Sequence, residues 1–326
     1  MNKKLIGIIV SCCLLALFLL QKKQVEPEVK IDFYNTKFLH NVPAVEKVLK
    51  AHGFLEVNFK TDDNLMINAI MLDKSKTCDV TATILSCPGF TPGRKEGMST
   101  LYAMLQDQPY NFMFIDFRGH GKSDGEFLTF NGFKHYGESE YFDVIASLQF
   151  IINYNKQHNI TQNIIIHGLC SGAFHTIKAI ADLRKSNPQA YDCIKGIIID
   201  SGWPSITDIV ETVTHAESTE QCKSYYVPFL QPFAAYLMLT VYNFFFKESH
   251  CKQEPIINAI GDIDQPILFI HAEQDLYVPL HNVYPLITAT KKPTTWFVKE
   301  SSHVSSHFKH KEEYTHKMQQ FIQSVV

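Results

Sequence analysis

The sequence predicts an α/β fold: a mostly parallel central sheet with helices on both faces and a helical insertion above one edge. Three observations lead there. Short, continuously apolar runs alternate with longer amphipathic stretches, as expected of strands buried on both faces. One of those runs, Asn163-Ile164-Ile165-Ile166-His167, breaks directly into Gly168-Leu169-Cys170-Ser171-Gly172-Ala173. That is a strand, a very sharp turn, then a helix expected from near Phe174. Finally, the rhythm is interrupted once, from about 203 to 264, by an aromatic-rich and mostly helical stretch with Tyr225-Tyr226, Tyr236, Tyr242 and Phe244-Phe245-Phe246.

The elements follow in order. Leu5 to Leu20 is an unbroken apolar run between Lys3-Lys4 and Lys22-Lys23. It reads as an uncleaved membrane anchor (1–24), with a cleaved secretory signal as the alternative. The lysines on the two sides roughly balance, so the side of the membrane stays open. Residues 25–54 form a linker and a first helix, and 55–326 the body. Leu55–Lys60 and Leu65–Met71 alternate around Asp62-Asp63-Asn64 and predict a hairpin. Strands are expected at Val80–Leu85, Phe112–Ile115, Ile164–Ile166, Ile197–Ile199, Pro266–Ile270 and Thr295–Val298. Helices are expected at Lys95–Gln106, Glu138–Tyr154, Phe174–Arg184 and Glu312–Ser324. The stretch 203–264 reads either as a lid over the C-terminal edge of the sheet, where such folds bind ligands, or as a stack of core helices.

Composition bounds the chemistry. The 326 residues are 45% hydrophobic and 19% charged, enough for a sizeable core, and the net charge of −3 gives no basic field for nucleic acid. No metal-ligand spacing, phosphate loop or dinucleotide fingerprint occurs, so no cofactor is expected. Beyond Cys12 and Cys13, the cysteines are irregularly spaced; Cys222 and Cys251 are able to pair only in an oxidising compartment.

Within this frame the sharp turn reads as a nucleophile elbow, G-x-Nu-x-G, whose strained backbone demands small residues two positions either side. Centred on Cys170, the flanks are Gly168 and Gly172; centred on Ser171, they are Leu169 and Ala173, and Leu169 fits badly. Cys170 is therefore the expected nucleophile. Three other features fall at the C-terminal ends of predicted strands. Cys87-Pro88-Gly89-Phe90 offers backbone N–H groups to a developing oxyanion. Asp275 follows the penultimate strand, with Asp200 as a rival acid. His303 follows the last strand, with His307 as a rival base. The order nucleophile, acid, histidine is the one an elbow of this kind implies.

From about Leu55 to Val326 the chain resembles the α/β-hydrolase family. Asp116-Phe117-Arg118-Gly119-His120-Gly121-Lys122-Ser123-Asp124-Gly125 is similar to the family's D-x-R-G-H-G-x-S-x-G loop, and Gln265 to Val278-Pro279 resembles its acid loop, with Ala272 where glycine is usual. An apolar, Phe-rich lid also occurs in membrane-anchored serine-hydrolase relatives; here cysteine stands at the nucleophile and Cys87 at the usual oxyanion-loop histidine. The resemblance implies a hydrolase of carboxylic esters or thioesters, with Cys170, His303 and Asp275 as the triad and the Phe90 and Ser171 amides as the oxyanion hole. Its partners would be a small-molecule or lipid-like acyl substrate and a membrane, without nucleic acid. A catalytically silent binding protein and an acyltransferase stay open as alternatives.

Overall fold

The structure, a computed structural model, describes residues 32–34, 39–90, 93–127, 129–217, 231–253 and 256–326. The expected anchor segment and Cys222 lie outside the described residues. Among those described, no helix is long and apolar enough to cross a membrane.

In the described residues, helix α1 (Val42–Ala51), whose first-turn amide at Ala44 donates to the Asn41 side chain, precedes the hairpin β1 (Leu55–Lys60) and β2 (Met66–Leu72). Then come β3 (Ala82–Cys87), a 3₁₀ turn at Lys95–Met98, α2 (Ser99–Leu105), β4 (Tyr110–Ile115), α3 (Phe130–Lys134) and α4 (Tyr141–Gln157). Next are β5 (Ile164–Leu169), α5 (Ser171–Ser186), α6 (Pro188–Asp192) and β6 (Ile194–Asp200). The long insertion contains α7 (Ile206–Glu217), α8 (Gln231–Phe245), α9 (Lys247–Cys251) and α10 (Ile256–Gly261). The chain closes with β7 (Ile267–Ala272), α11 (Leu280–Ala289), β8 (Pro293–Val298), α12 (Ser306–Lys309) and α13 (Lys311–Val325).

These strands make one eight-stranded sheet in the order β1-β2-β4-β3-β5-β6-β7-β8. Only the β1–β2 and β2–β4 pairings are antiparallel. Side chains alternate between two apolar layers, which is why the strands read as continuous apolar runs. Ile164 and Ile166 join the layer under α4 and α5, and Ile165 joins the layer under α2 and α13. After β3 the chain turns to one face and builds outward to β4; it then crosses back to β5. The strand order reverses between β3 and β5, and their C-terminal ends leave a crevice there.

Two buried ionic clusters fix the loops around this crevice. Lys95, 1% exposed, places its ammonium 2.7 Å from Asp116, whose carboxylate also accepts the Lys95 and Lys122 amides. Arg118 holds Asp143 on α4 through its Nε, an Nη and its own amide, and reaches Asp63 in the hairpin turn. The D-x-R-G-H-G stretch thus fastens the hairpin, α4 and the loop after β3 together. Removing one partner of a buried pair strands the other charge. Asp116→Ala is therefore expected to lose about 3–5 kcal/mol of stability, read as a fall in thermal midpoint on the order of 10 °C by circular dichroism.

The helix after the elbow begins at Ser171, three residues earlier than expected. The turn is a single residue tight, with Cys170 itself as the residue preceding the helix. Helix α4 starts at Tyr141 rather than Glu138, because the buried Glu140 carboxylate accepts the Gly137 amide and closes a turn ahead of it. The insertion divides: Ile256, Ile260 and Ile263 belong to the main core, whereas Tyr236 and Phe244 on α8 are 70% and 79% exposed.

Candidate active site

At the end of β5, Cys170 sits at φ 53°, ψ −113°, a conformation an L-residue adopts only when its surroundings impose it. Its amide donates to the Asp200 carbonyl of β6 (2.8 Å) and its carbonyl accepts from Ala173 (3.1 Å). The flanking glycines are dictated by close approach. A Cβ on Gly168 would lie 2.6 Å from the Ala173 Cα; one on Gly172 would overlap the Cys87 carbonyl oxygen and lie 2.6 Å from that of Pro88. Both clashes are with backbone, so neither relaxes by rotating a side chain. This is elbow geometry with Cys170, and not Ser171, at its apex.

Ser171 is the first residue of α5 and 1% exposed. Tyr136 lies beside it, with its hydroxyl 3.1 Å from His175 Nε2. The Ser171 amide, at a helix N-terminus, has no intrahelical acceptor. Across the crevice, Gly89 packs against the elbow, its Cβ position 3.3 Å from the Cys170 Cβ, and Phe90 follows it. Cys87, fully buried at the end of β3, has its thiol pushed up to about 12 by burial and is inert.

The acid and the histidine come from the neighbouring strand ends. Asp275 Oδ1 accepts the amides of Tyr277 (3.0 Å) and Val278 (2.8 Å), which leaves Oδ2 to accept the His303 Nδ1–H at 2.7 Å. Beneath the acid loop, His271 is buried and meets the Val278 carbonyl at 2.7 Å, holding the loop's far end. His303 lies between Glu300 and Val304, both at positive φ (54° and 52°), in a turn cross-braced by Ser305, whose hydroxyl accepts the Ser302 amide and donates to the Ser302 carbonyl. With Nδ1 committed to Asp275, His303 lies near enough to Cys170 for each to favour the charged form of the other.

The rivals are employed elsewhere. Asp200 accepts from Tyr314 Oη and Ser201 Oγ, each at 2.8 Å, and burial pushes its carboxyl up to about 6. His307 packs beside Tyr314 and near His167, and burial pushes its pKa down to about 3. Neither side chain is engaged with Cys170. The residues that sequence reasoning missed are Tyr136 and His271. Of these only His271 carried a signal, as part of the acid-loop motif.

Burial alone would raise the Cys170 thiol, but the neighbouring His303 more than offsets that and brings it below the ordinary range. Burial likewise opposes the imidazolium, and the Cys170 thiolate together with Asp275 raises it well above the usual histidine value. Both shifts run the same way, toward thiolate beside imidazolium. His303→Ala removes the offset and leaves the burial, so the midpoint of Cys170 alkylation by iodoacetamide is expected to rise above the ordinary thiol range. A rate–pH profile with the modified site confirmed by mass spectrometry checks it.

Strand order, switch-point crevice and elbow after β5 together define the α/β-hydrolase fold. The comparisons agree. The esterase Pf2001 of Pyrococcus furiosus superimposes with a TM-score of 0.66 at 19% identity, covering 93% of this chain and 98% of its own. The alpha/beta hydrolase GrgF of Penicillium sp. sh18 gives 0.58 at 16% identity, covering 83% and 98%. In sequence, the uncharacterized protein YqkD of Bacillus subtilis (strain 168) is 23% identical over 251 residues, 76% of this chain and 73% of that one. No protein-family model matches the chain.

Proposed function

We propose that the protein hydrolyses carboxylic esters or thioesters through a covalent acyl-enzyme on Cys170. The single observation that carries this reading is the convergence of Asp275, His303 and the strained Cys170 at the switch-point crevice, with Asp275 hydrogen-bonded to His303 and His303 coupled in charge to Cys170. The Cys170 thiolate attacks the acyl carbonyl, and the oxyanion that forms faces the amides of Phe90 and Ser171. As the tetrahedral adduct collapses, the bond to the leaving group breaks and His303 gives it a proton. Water then attacks the acyl-cysteine with His303 taking its proton, and the acid and the free thiol are released. Asp275 holds the ring in the tautomer that both steps need. A thiolate expels poorly leaving alkoxides reluctantly, so thioesters, lactones and enol esters are the favoured substrates.

An apolar acyl group suits the surroundings. The Phe90 ring packs against Phe127, Phe133 and Tyr136, and Phe133 continues to Phe246 at the end of the insertion, with centroids 4.9 Å apart. These rings connect the oxyanion loop to the insertion, which acts as a lid. The test is a screen of p-nitrophenyl esters and acyl thioesters of graded chain length, with acid-quenched intermediates examined by mass spectrometry. An acyl adduct on Cys170 during turnover supports the reading. Turnover with an adduct on Ser171, or none on either residue, sinks it.

We also propose that residues 1–24 tether this body to a membrane. The support is the flanked apolar run. In addition, Phe33 and Tyr34, which follow that run, are fastened to the body: Thr100 near the start of α2 donates to the Phe33 carbonyl, and Lys311 at the start of α13 sits 3.8 Å above the Tyr34 ring. Full-length protein is expected to fractionate with membranes and resist salt extraction, and the chain lacking residues 1–24 to be released. An N-terminus lost from the mature protein would instead identify a cleaved signal.

A further inference from the structure

Thr212 on α7, in the insertion, points its hydroxyl out of its own helix. It donates at 2.7 Å to the carbonyl of Tyr277, 65 positions on and two residues past Asp275. The carbonyls of Asp208 and Ile209 in the preceding turn of α7 are also in reach, at 3.0 and 3.1 Å. A helical threonine ordinarily satisfies its hydroxyl there; here the shortest contact leaves the helix. The peptide it reaches has a second task. The Tyr277 C=O and the Val278 N–H belong to one planar unit and point opposite ways across it. That N–H donates to Asp275 Oδ1 at 2.8 Å, beside the Tyr277 amide at 3.0 Å. Asp275 Oδ2 in turn accepts the His303 Nδ1–H at 2.7 Å. A single run of hydrogen bonds therefore leads from α7, through one rigid peptide and one carboxylate, to the imidazole. Tyr277 makes a second connection with its ring, which packs against that of His303 with centroids 5.5 Å apart and planes at 46°.

Resting on the proposed roles of Asp275 and His303, we infer that Thr212 is a positioning residue that acts through Tyr277, fixing the peptide that aims Asp275 at His303. The acid loop then has two holds. From the sheet, His271 of β7 meets the Val278 carbonyl at 2.7 Å. From the insertion, Thr212 takes the Tyr277 carbonyl one peptide earlier. With successive carbonyls held from opposite sides, neither peptide turns, and the Asp275 carboxylate keeps one orientation. Without the Thr212 hydroxyl the peptide between 277 and 278 tips more freely, and its N–H loses its aim at Oδ1. Bonds of this kind polarise one another along the run and are strongest where the acceptor is charged. Helix α7 packs on α8 and α9 of the same insertion and meets the main core through Ile206 and Ile209. The seating of the insertion is thereby tied to the geometry of the acid and the histidine.

The decisive variant is Thr212→Val in the full-length protein, which keeps the branched shape and deletes the donor. With the best substrate of the ester and thioester screen, kcat is expected to fall about three- to tenfold while KM stays near its original value, the loss of one orienting hydrogen bond. A second readout is the proton resonance of the His303 Nδ1–H, shifted far downfield by its carboxylate partner and identified by its disappearance in His303→Ala. In Thr212→Val that proton should exchange faster with water. Thr212→Ser restores the hydroxyl and should recover both readouts. Thr240→Val on α8 is the control, since the Thr240 hydroxyl donates at 2.7 Å to the Tyr236 carbonyl of its own helix; it should behave as the native protein does. A merely structural role for Thr212 would lower the melting temperature of Thr212→Val and leave kcat and the exchange rate unmoved. That outcome, or equal losses in Thr240→Val, overturns the inference. If Thr212→Val does not fold, Thr212→Ala takes its place with the same expectations. The proton signal needs neither turnover nor a nucleophile, so it stands apart from the assignment of Cys170, which falls instead if Cys170→Ala retains full activity.

Discussion

Cys170→Ala and His303→Ala are each expected to lower kcat/KM toward a thioester by about 10⁴-fold or more, and the double variant to fall little further. The reason is geometric. Each of the two groups favours the charged form of the other in a buried site, so losing either is expected to disable the proposed nucleophile. The amides proposed to hold the oxyanion belong to the backbone of Phe90 and Ser171 and survive both changes, so residual turnover above the uncatalysed rate is expected. Cys170→Ser keeps the shape but offers a hydroxyl to a site arranged around an anion, and should lie between the single alanine variants and the native enzyme. Steady-state kinetics on purified protein, with circular dichroism to establish that each variant is folded, decides it. Additive losses in the double variant would mean that the two residues do not act as a unit.

The largest effect on stability is expected from Gly172→Ala. The added methyl would occupy the space of the Cys87 and Pro88 carbonyl oxygens at the end of β3. Those oxygens are part of a sheet strand and the loop beside the nucleophile, and α5 cannot back away without uncovering Ile177 and Ile180. A loss of more than about 4 kcal/mol is expected, enough to leave little folded protein. Gly97→Ala is the control: nothing lies within 4 Å of the position its Cβ would take, so it should be close to neutral. Thermal melts of both variants distinguish a steric cause from a general dislike of alanine for glycine. Normal melting of Gly172→Ala would mean that α5 does not approach β3 this closely.

Much of this was legible in the residues. The apolar runs at 164–166, 197–199 and 267–270 place the central strands because both faces of each are buried, and only apolar side chains satisfy that. The small residues at 168 and 172 locate the apex on Cys170, since a side chain at either point would meet backbone. Asp275 and His303 follow from their positions just after strands. The edges of elements were less legible. Helix α5 begins at Ser171 because the elbow needs no linker, a fact of backbone geometry and not of propensity. The insertion resisted a single reading because α10 is core and α8 is exposed, although both are apolar in sequence.

By itself, then, the sequence determined the strand–helix order, the elbow with its thiol, and the chain order of the three candidate catalytic residues. All of these depend on local pattern: period, residue size and the sterics of one turn. Only the tertiary structure showed that Asp275 and His303 meet while Asp200 and His307 find other partners, because each pairing turns on what a buried polar group finds across the sheet. Asp200 is claimed by Tyr314, 114 positions away, and Asp275 by His303, 28 positions away. The same holds for the anchoring of the elbow: the Cys170 amide reaches the Asp200 carbonyl because β5 and β6 pair in parallel and end together.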